Sequence, residues 1–286
     1  MPTATTTCPC WPRPGRIPPT VAAEGQVLVT VSRTQGSVPR EVGAWMAVSP
    51  DGITGTVGGG HLEFDAIARA RAALAGGELP DEVRYPLGPS LGQCCGGVVW
   101  LRFERPPAGA DLAAHLPPQA LRPVALFGAG HVGQALAHMA RELPLALHWV
   151  DSRESQFPAQ PPARGWQQVV SDPPADAVAD LPPGAAVLVM THNHAEDFDI
   201  LAACLKRQRE RGDLPFIGMI GSRTKWASFR QRLEARGFDG TDLARVTCPI
   251  GVPGVVGKQP GVIAVSVLAQ LLALPQTPPG AAPASA

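Results

Sequence analysis

The second half of the chain alternates short apolar runs with segments whose apolar residues recur every three or four positions. The runs predict buried strands, and the segments between them predict amphipathic helices. This alternation is typical of a parallel sheet covered by helices. The clearest predicted strands are Val124–Phe127, Leu145–Val150, Val187–Met190 and Phe216–Ile220. We therefore predict an α/β domain over residues 123–274.

The predicted helices of this domain have recognisable ends. Glu196–Arg211 carries acids in its first turn and bases in its last, and Gly212 follows it. Ser222 is a predicted N-cap for the next helix. The final helix, Val262–Leu274, is apolar on nearly every side, so we expect it to be buried.

The first half of the chain predicts a smaller α+β domain over residues 21–104. Its apolar stretches are short and are separated by glycine-rich turns, which is the pattern of strands and tight connections. A three-glycine run opens the predicted helix, and a second glycine-rich loop spans residues 88–97. The predicted elements are strands Val27–Val31, Ala44–Val48 and Ile53–Val57, helix His61–Leu74, and strand Val98–Phe103.

Three proline-rich stretches bound the two domains. Residues 1–20 and 275–286 are rich in Pro, Thr, Ala and Gly, a composition that buries too little apolar surface to fold, and we predict disorder there. Residues 105–122 predict the linker between the domains.

The composition is that of a globular protein without nucleic-acid or membrane partners. Of the 286 residues, 45% are hydrophobic and 17% are charged, and 24 basic side chains balance 24 acidic ones. A nucleic-acid binder usually has a strongly basic face. No apolar run approaches the roughly 20 residues that span a bilayer, and the amino terminus lacks the layout of a secretory signal. We expect a cytoplasmic location.

Gly128, Gly130 and Gly133 form a G-x-G-x-x-G turn between a predicted strand and a predicted helix. In that context the first glycine permits the tight turn, the second admits a phosphate, and the third lets helix and strand touch. Asp151, at the end of the following strand, stands where a ribose-binding acid would stand. The alternative is a turn with glycines by chance. We favour a Rossmann-type domain whose turn, with His131 inside it, binds a phosphate-bearing ligand.

Two further segments follow strands at the same predicted edge of the sheet. His192 and His194 lie in a Thr-His-Asn-His segment, and without a third ligand in sequence we favour polar ligand contacts or helix capping over a metal site. Ser222, Arg223 and Lys225 begin a helix. The two cations oppose the helix macrodipole, which is easier to understand if an anion lies nearby, although a solvated helix face is the simpler alternative.

Adjacent cysteines, Cys94 and Cys95, stand between glycines in the 88–97 loop. The alternative to a function is a pair of small buried apolar residues. Glycines on both sides leave the thiols accessible, which suits reactivity or binding of a soft metal. The six cysteines contain no Cys-x-x-Cys pair, so a zinc site of the usual spacing is not expected.

Taken together, these residues resemble the xanthine dehydrogenase accessory proteins of the XdhC family. The resemblance extends from about Val27 to Leu274, and several of its motifs are rare elsewhere. The matching stretches are Gly36–Arg40, Gly55–Glu63, Leu87–Gly97, Phe127–Gly133, Thr191–His194, Ile220–Lys225 and Cys248–Gly251.

The resemblance implies a chaperone that binds the molybdenum cofactor (molybdopterin), protects it during sulfuration and inserts it into apo-xanthine dehydrogenase. Implied partners are the molybdenum-binding subunit of that enzyme, a cysteine desulfurase and a second copy of the chain. Thiolate is the side chain best matched to molybdenum. The implied metal contacts are Cys94 and Cys95, and the implied cofactor contacts add Gly59, Gly60, His61 and Glu63 to the residues of the second domain named above.

Three hypotheses therefore stand at this point. The first is a cofactor-carrying chaperone without turnover of its own. The second is an NAD(P)-dependent oxidoreductase that uses the Rossmann turn and Asp151, and a nucleotide bound at that turn is compatible with either. The third is a thiol- or metal-dependent enzyme built on the two cysteines, which leaves the glycine turn without a role. We favour the first because it uses both features.

Overall fold

A computed structural model describes residues 25–88, 96–107, 121–159, 163 and 165–275. Cys94 and Cys95 lie outside these residues. The chain forms two compact units, and the division between them falls within the segment 108–120. Each unit has its own hydrophobic core.

The described residues of the first unit form an antiparallel five-stranded sheet and one helix. The sheet order is β3-β2-β1-β5-β4, and β1 is its centre because it pairs with β2 on one side and β5 on the other. Apolar residues of the central strand and of one helix face form the core between sheet and helix. The elements are β1 (Val27–Gln35), β2 (Trp45–Val48), β3 (Ile53–Gly55), α1 (Gly60–Leu74), β4 (Glu82–Pro86) and β5 (Val98–Glu104).

The second unit contains a parallel sheet of six described strands in the order β11-β10-β9-β6-β7-β8. Counted within the unit, this is the order 6-5-4-1-2-3 of a doubly wound Rossmann fold. The strands are β6 (Arg122–Phe127), β7 (Leu145–Asp151), β8 (Gln167–Val170), β9 (Ala186–Val189), β10 (Phe216–Met219) and β11 (Val246–Thr247). The helices are α2 (His131–Ala140), α3 (His194–Arg211), α4 (Arg223–Ala235), α5 (Gly240–Leu243) and α6 (Pro260–Ala273).

Helices cover both faces of the parallel sheet. Apolar residues of α2 and α6 pack on one face, and those of α3 and α4 pack on the other. The last helix, which we expected to be buried, is buried on one face only. Val265 and Leu272 of α6 are 54% and 48% exposed, so only one face of this helix contributes to the core. No helix in the described ranges combines the length and the apolar character needed to cross a membrane.

The predicted fold class is confirmed. A Rossmann-type parallel sheet occupies the carboxyl-terminal side of the chain, and a smaller α+β unit precedes it. The sheet has a topological switch point between β6 and β9, because the strand that follows β6 in the chain, β7, lies on its other side. Ligands of such sheets bind at the carboxyl ends of the strands beside this point.

Candidate functional site

The glycine turn after β6 contains two glycines that packing requires and one that faces open space. A Cβ on Gly128, whose φ is +115°, would lie 2.3 Å from the carbonyl oxygen of Met190. A Cβ on Gly133 would lie 2.1 Å from the carbonyl oxygen of Gly128. Around Gly130, by contrast, no described atom lies within 4 Å of an added Cβ. The opening beside Gly130 is where a ligand group can reach the backbone.

Helix α2 begins directly at this opening. Gly130 is its N-cap, and within the described residues no side chain caps the first-turn amides. His131, the first residue of the helix, is exposed. The arrangement directs backbone N–H groups and the positive end of the helix dipole toward the opening, which suits an anionic ligand.

Asp151 lies at the end of β7 as predicted, but its carboxylate is bound by the protein itself. It is 3% exposed. Oδ2 accepts the Ala129 N–H at 2.7 Å, and Oδ1 accepts the Arg153 N–H at 2.9 Å. The Arg153 guanidinium donates to both oxygens, from Nε at 2.9 Å and Nη2 at 3.2 Å. Burial by itself would raise the pKa of Asp151, but these hydrogen bonds and the Arg153 charge lower it.

A second buried carboxylate braces the loop after β9. Asp197 is fully buried, and its Oδ1 accepts the Thr191 N–H at 3.0 Å and the Thr191 hydroxyl at 2.9 Å. Its Oδ2 accepts from Lys225 Nζ at 2.5 Å, and Nζ also donates to the Ile220 carbonyl at 3.2 Å. The anion that the sequence led us to expect beside Lys225 is thus Asp197 of the same chain.

The remaining predicted residues of this domain lie on the exposed edge. Ser222 caps α4 as predicted, because its hydroxyl accepts the Lys225 N–H at 3.1 Å. Arg223 is exposed at the start of the helix. His192 and His194 are both exposed, and His192 Nδ1 lies 3.9 Å from Glu196. The side chains of Arg223, His192 and His194 are exposed and can contact a ligand at the edge, although the His194 ring also packs edge-on against Phe229.

The sequence-based candidates omitted Cys248, although its motif had been noted. It follows β11, and its Sγ lies 3.4 Å from where a Cβ on Gly221 would stand. Burial raises the pKa of this thiol, with Lys225 acting in the opposite direction. Cys248 therefore adds a half-buried thiol to the strand ends that carry Gly221 and Lys225.

In the first unit, the glycine run before α1 is held by Glu63. This carboxylate is 8% exposed, and its Oε2 accepts the Thr56 hydroxyl at 2.5 Å and the N–H groups of Val57 and Gly59 at 3.0 and 3.2 Å. Glu63 thus shapes the loop from inside, whereas His61 is exposed at the start of the helix. No described atom lies within 4 Å of a Cβ on Gly59, whose φ is +74°.

The glycine that follows the cysteine loop lies against the end of β1. A Cβ on Gly97 would stand 2.4 Å from the Ser37 carbonyl oxygen and 2.5 Å from that of Gln35. The turn before α1 lies equally close to the segment after β1, because a Cβ on Gly58 would lie 2.5 Å from the Pro39 side chain. Segments 36–40, 55–63 and 96–97 therefore gather at one place in the first unit. Within the described residues no group of three or more His, Cys, Asp or Glu side chains is placed to hold a metal ion.

Comparison with known proteins gives two family matches that together span both units. Residues 21–86 match the model described as the XdhC and CoxI family, and residues 124–271 match the XdhC Rossmann domain. A crystal structure titled as a xanthine dehydrogenase (BH1974) from Bacillus halodurans superposes with a TM-score of 0.64 at 22% identity, over 87% of this chain and 91% of that one. At that identity the likeness concerns the fold.

Two similar proteins come from Escherichia coli strain K12. The uncharacterized protein YqeB is 29% identical over 86% of this chain, which spans only 43% of the length of YqeB. The molybdenum cofactor insertion chaperone PaoD is 26% identical over 88% of this chain and 84% of its own length.

Proposed function

This chain belongs to the XdhC and CoxI family, and we propose that it is a molybdenum cofactor insertion chaperone. In this proposal it binds the cofactor, holds it while a terminal sulfur is added, and inserts it into apo-xanthine dehydrogenase. The observation that carries the proposal is the match of both units to domains of one family. The name of PaoD, which aligns with nearly the whole chain, points to the same kind of activity.

The second unit fits the phosphate end of such a cargo. Gly130 leaves open space in front of the first turn of α2, and backbone N–H groups at a helix start suit a phosphate. Gly128 and Gly133 hold the turn in this shape, because neither position has room for a side chain. Exposed His131, His192, His194 and Arg223 are the proposed polar contacts around it.

The first unit fits the handling of a soft metal. We propose that Cys94 or Cys95 contacts molybdenum, with Gly59, Gly60 and His61 as neighbouring contacts and Glu63 holding their loop. When bound, the cofactor supplies a molybdenum centre that thiolate ligands match in softness. The protein's own part is to hold that centre away from water and oxidants until delivery.

Partners and location follow from the same proposal. We propose that the chain works as a homodimer in the cytoplasm, receives sulfur from a cysteine desulfurase, and docks on the molybdenum-binding subunit of xanthine dehydrogenase. The competing proposal is an NAD(P)-dependent oxidoreductase, which the Rossmann order favours. We expect no hydride transfer, and reduction of NAD(P) at enzymatic rates with a small alcohol or hydroxy acid would support that competitor instead.

The direct test is to identify what the protein carries. The full chain is purified without oxygen from a molybdenum-replete host, and the released ligand is analysed by mass spectrometry. We expect a pterin, and we expect the loaded protein to restore activity to apo-xanthine dehydrogenase. A preparation that carries no pterin and activates no apo-enzyme contradicts the proposal.

Replacement of Cys94 and Cys95 by serine is expected to abolish delivery and leave the fold intact. A Cys→Ser change costs little volume but removes the thiolate that the proposal places at molybdenum. The double variant should show an unchanged unfolding temperature and at least a tenfold loss in activation of apo-xanthine dehydrogenase. The matched control replaces Cys8 and Cys10, for which we predict no role. Normal cofactor content and delivery by the Cys94/Cys95 variant would show that these thiols are not needed.

Gly130→Leu is expected to weaken ligand binding without weakening the fold. A side chain at this position enters open space in the protein, but it occupies the approach to the α2 amides. We expect at least a tenfold loss in affinity, about 1.4 kcal/mol, with little change in the unfolding temperature. Titration and thermal unfolding separate the two effects, and unchanged affinity in the folded variant would place the phosphate elsewhere.

A further inference from the structure

Arg153 lies two residues after the position from which a dinucleotide-binding Rossmann domain recognises ribose. In such domains an acid at the end of the second strand accepts hydrogen bonds from the ribose hydroxyls. Here that acid is Asp151, which must have a free lone pair to play the same part. The hydrogen bonds that Asp151 accepts show whether a lone pair is free.

A carboxylate offers about four lone-pair directions, two on each oxygen. Within the described structure, Oδ1 of Asp151 accepts from the backbone N–H and Nε of Arg153, and Oδ2 accepts from the Ala129 N–H and Arg153 Nη2. All four directions are therefore taken. A ribose diol can bind Asp151 only if it displaces the Arg153 guanidinium.

The group that this site presents to a ligand is consequently a guanidinium. Its fork faces Asp151, yet the Arg153 side chain remains 34% exposed. A guanidinium has five N–H donors, of which Nε and one on Nη2 are used on Asp151. The other three are not used on Asp151, and Ala129, which shares that carboxylate, belongs to the Gly128–Gly133 turn.

Among the described residues, two carboxylates act on the Arg153 charge, those of Asp151 and Glu196. Glu196 accepts from the Ser152 hydroxyl at 3.3 Å and lies 3.9 Å from His192 Nδ1. Asp151 is neutralised by its ion pair with Arg153 at 2.9 Å. Arg153 is thus the cation that this edge places near the backbone amides of the turn; Asp151 and Glu196 offset its charge, and what it offers a phosphate is the planar, multidentate geometry of the guanidinium.

We propose that Arg153 is a phosphate-recognition residue, so that the Rossmann turn takes a phosphate ester and discriminates against ligands that need a free ribose diol at Asp151. This chemistry has two sources, the phosphate of a pterin cofactor and the 2′-phosphate of a nucleotide. The pterin source rests on the proposed function, whereas the nucleotide source is independent of it.

The nucleotide arm titrates the full chain with NADPH and NADH, which differ only in the 2′-phosphate. We expect the wild type to prefer NADPH by at least tenfold. Arg153→Ala should remove that preference and shift it toward NADH, because it frees lone pairs of Asp151 for the ribose. If the role of Arg153 is purely structural, Arg153→Ala should weaken the binding of NADPH and NADH equally. Arg230→Ala, an exposed arginine of α4 paired with Glu234, is the matched control and should change neither.

The pterin arm measures the molybdopterin that co-purifies with each variant from a molybdenum-replete host. Arg153→Ala should carry at least tenfold less than the wild type, and Arg153→Lys, which keeps the charge, should recover part of it. If thermal unfolding shows that Arg153→Ala does not fold, the pterin content of Arg153→Lys is compared with that of the wild type instead.

The two arms distinguish this inference from the proposed function. Dependence of the NADPH preference on Arg153 in a protein that carries no pterin would support the inference and count against the chaperone. A pterin-loaded protein in which Arg153→Ala changes neither pterin content nor nucleotide preference would overturn the inference alone. A wild type that binds neither nucleotide and carries no pterin would overturn both.

Discussion

Gly133→Val is expected to destabilise the Rossmann domain by about 3 kcal/mol or more, at the upper end of overpacking effects. A Cβ at this position would stand 2.1 Å from the carbonyl oxygen of Gly128. The atom in the way is backbone, and it belongs to the turn that β6 and α2 share, so neither a rotamer change nor a side-chain shift relieves the contact. For a domain of this size the loss lowers the unfolding temperature by roughly 6–12 °C.

The control for this prediction lies three residues earlier in the same turn. Gly130→Val adds the same side chain where no described atom lies within 4 Å of the Cβ, so we expect an unfolding temperature close to that of the wild type. Thermal unfolding of the two variants side by side provides the measurement. An unfolding temperature of Gly133→Val close to that of the wild type would mean that the turn tolerates a side chain there and that the close helix–strand contact does not matter for stability.

The contrast between these glycines also shows what a motif in the sequence can predict. The G-x-G-x-x-G spacing, placed between a strand and a helix, predicted a tight turn, an open position and a close contact, and the geometry of Gly128, Gly130 and Gly133 has all three features. The contact of Gly133 with Gly128 is local in the chain, whereas the contact of Gly128 with Met190 follows from the pairing of β6 with β9, which the predicted parallel sheet already implied. The binding of a phosphate at the open position stays a prediction.

Three of the four described edge strands, β4, β8 and β11, were not predicted from the pattern, whereas the edge strand β3 was. β4 alternates charged residues with half-buried ones along the edge of its sheet, and β8 begins with two glutamines at the edge of the other. Edge strands bury little, so they lack the continuous apolar run that marks a central strand such as β9. β11 is only two residues long, too short for any periodicity to be seen.

The side-chain partners at the candidate site were also beyond the sequence. Asp151 was expected to be a free acid, and its neighbour Arg153 saturates it. Lys225 was expected beside a ligand anion, and it binds Asp197, 28 residues earlier in the chain. The basic residue two positions after Asp151 was a visible signal for the first pair. The second pair has no such signal, because only the packing of α3 beside α4 brings it together.

The Lys225–Asp197 pair is the basis of the second large expected effect. Asp197→Ala is expected to cost about 3–5 kcal/mol of stability, the range for breaking a buried ion pair. Asp197 is fully buried, and the Lys225 side chain is 13% exposed. Removal of the carboxylate leaves the Thr191 N–H without its acceptor and leaves the ammonium without its counter-charge, with only the Ile220 carbonyl still accepting from it. The loop that carries the Thr-His-Asn-His segment then loses the group that fixes it, so ligand affinity should fall together with stability.

A double-mutant cycle checks that the cost comes from the pair. In Lys225→Met, Asp197 keeps the two hydrogen bonds from Thr191, so we expect a smaller loss than in Asp197→Ala. The double variant Asp197→Ala with Lys225→Met contains no uncompensated charge, and its cost should be smaller than the sum of the single costs by roughly 1–3 kcal/mol. Denaturant unfolding of the four proteins gives these values. Two results would contradict this: additive costs of the two substitutions, or a loss below about 1 kcal/mol for Asp197→Ala. Either would mean that water reaches Lys225. The loop after β9 would then be held by Thr191 and its backbone rather than by the buried charge pair.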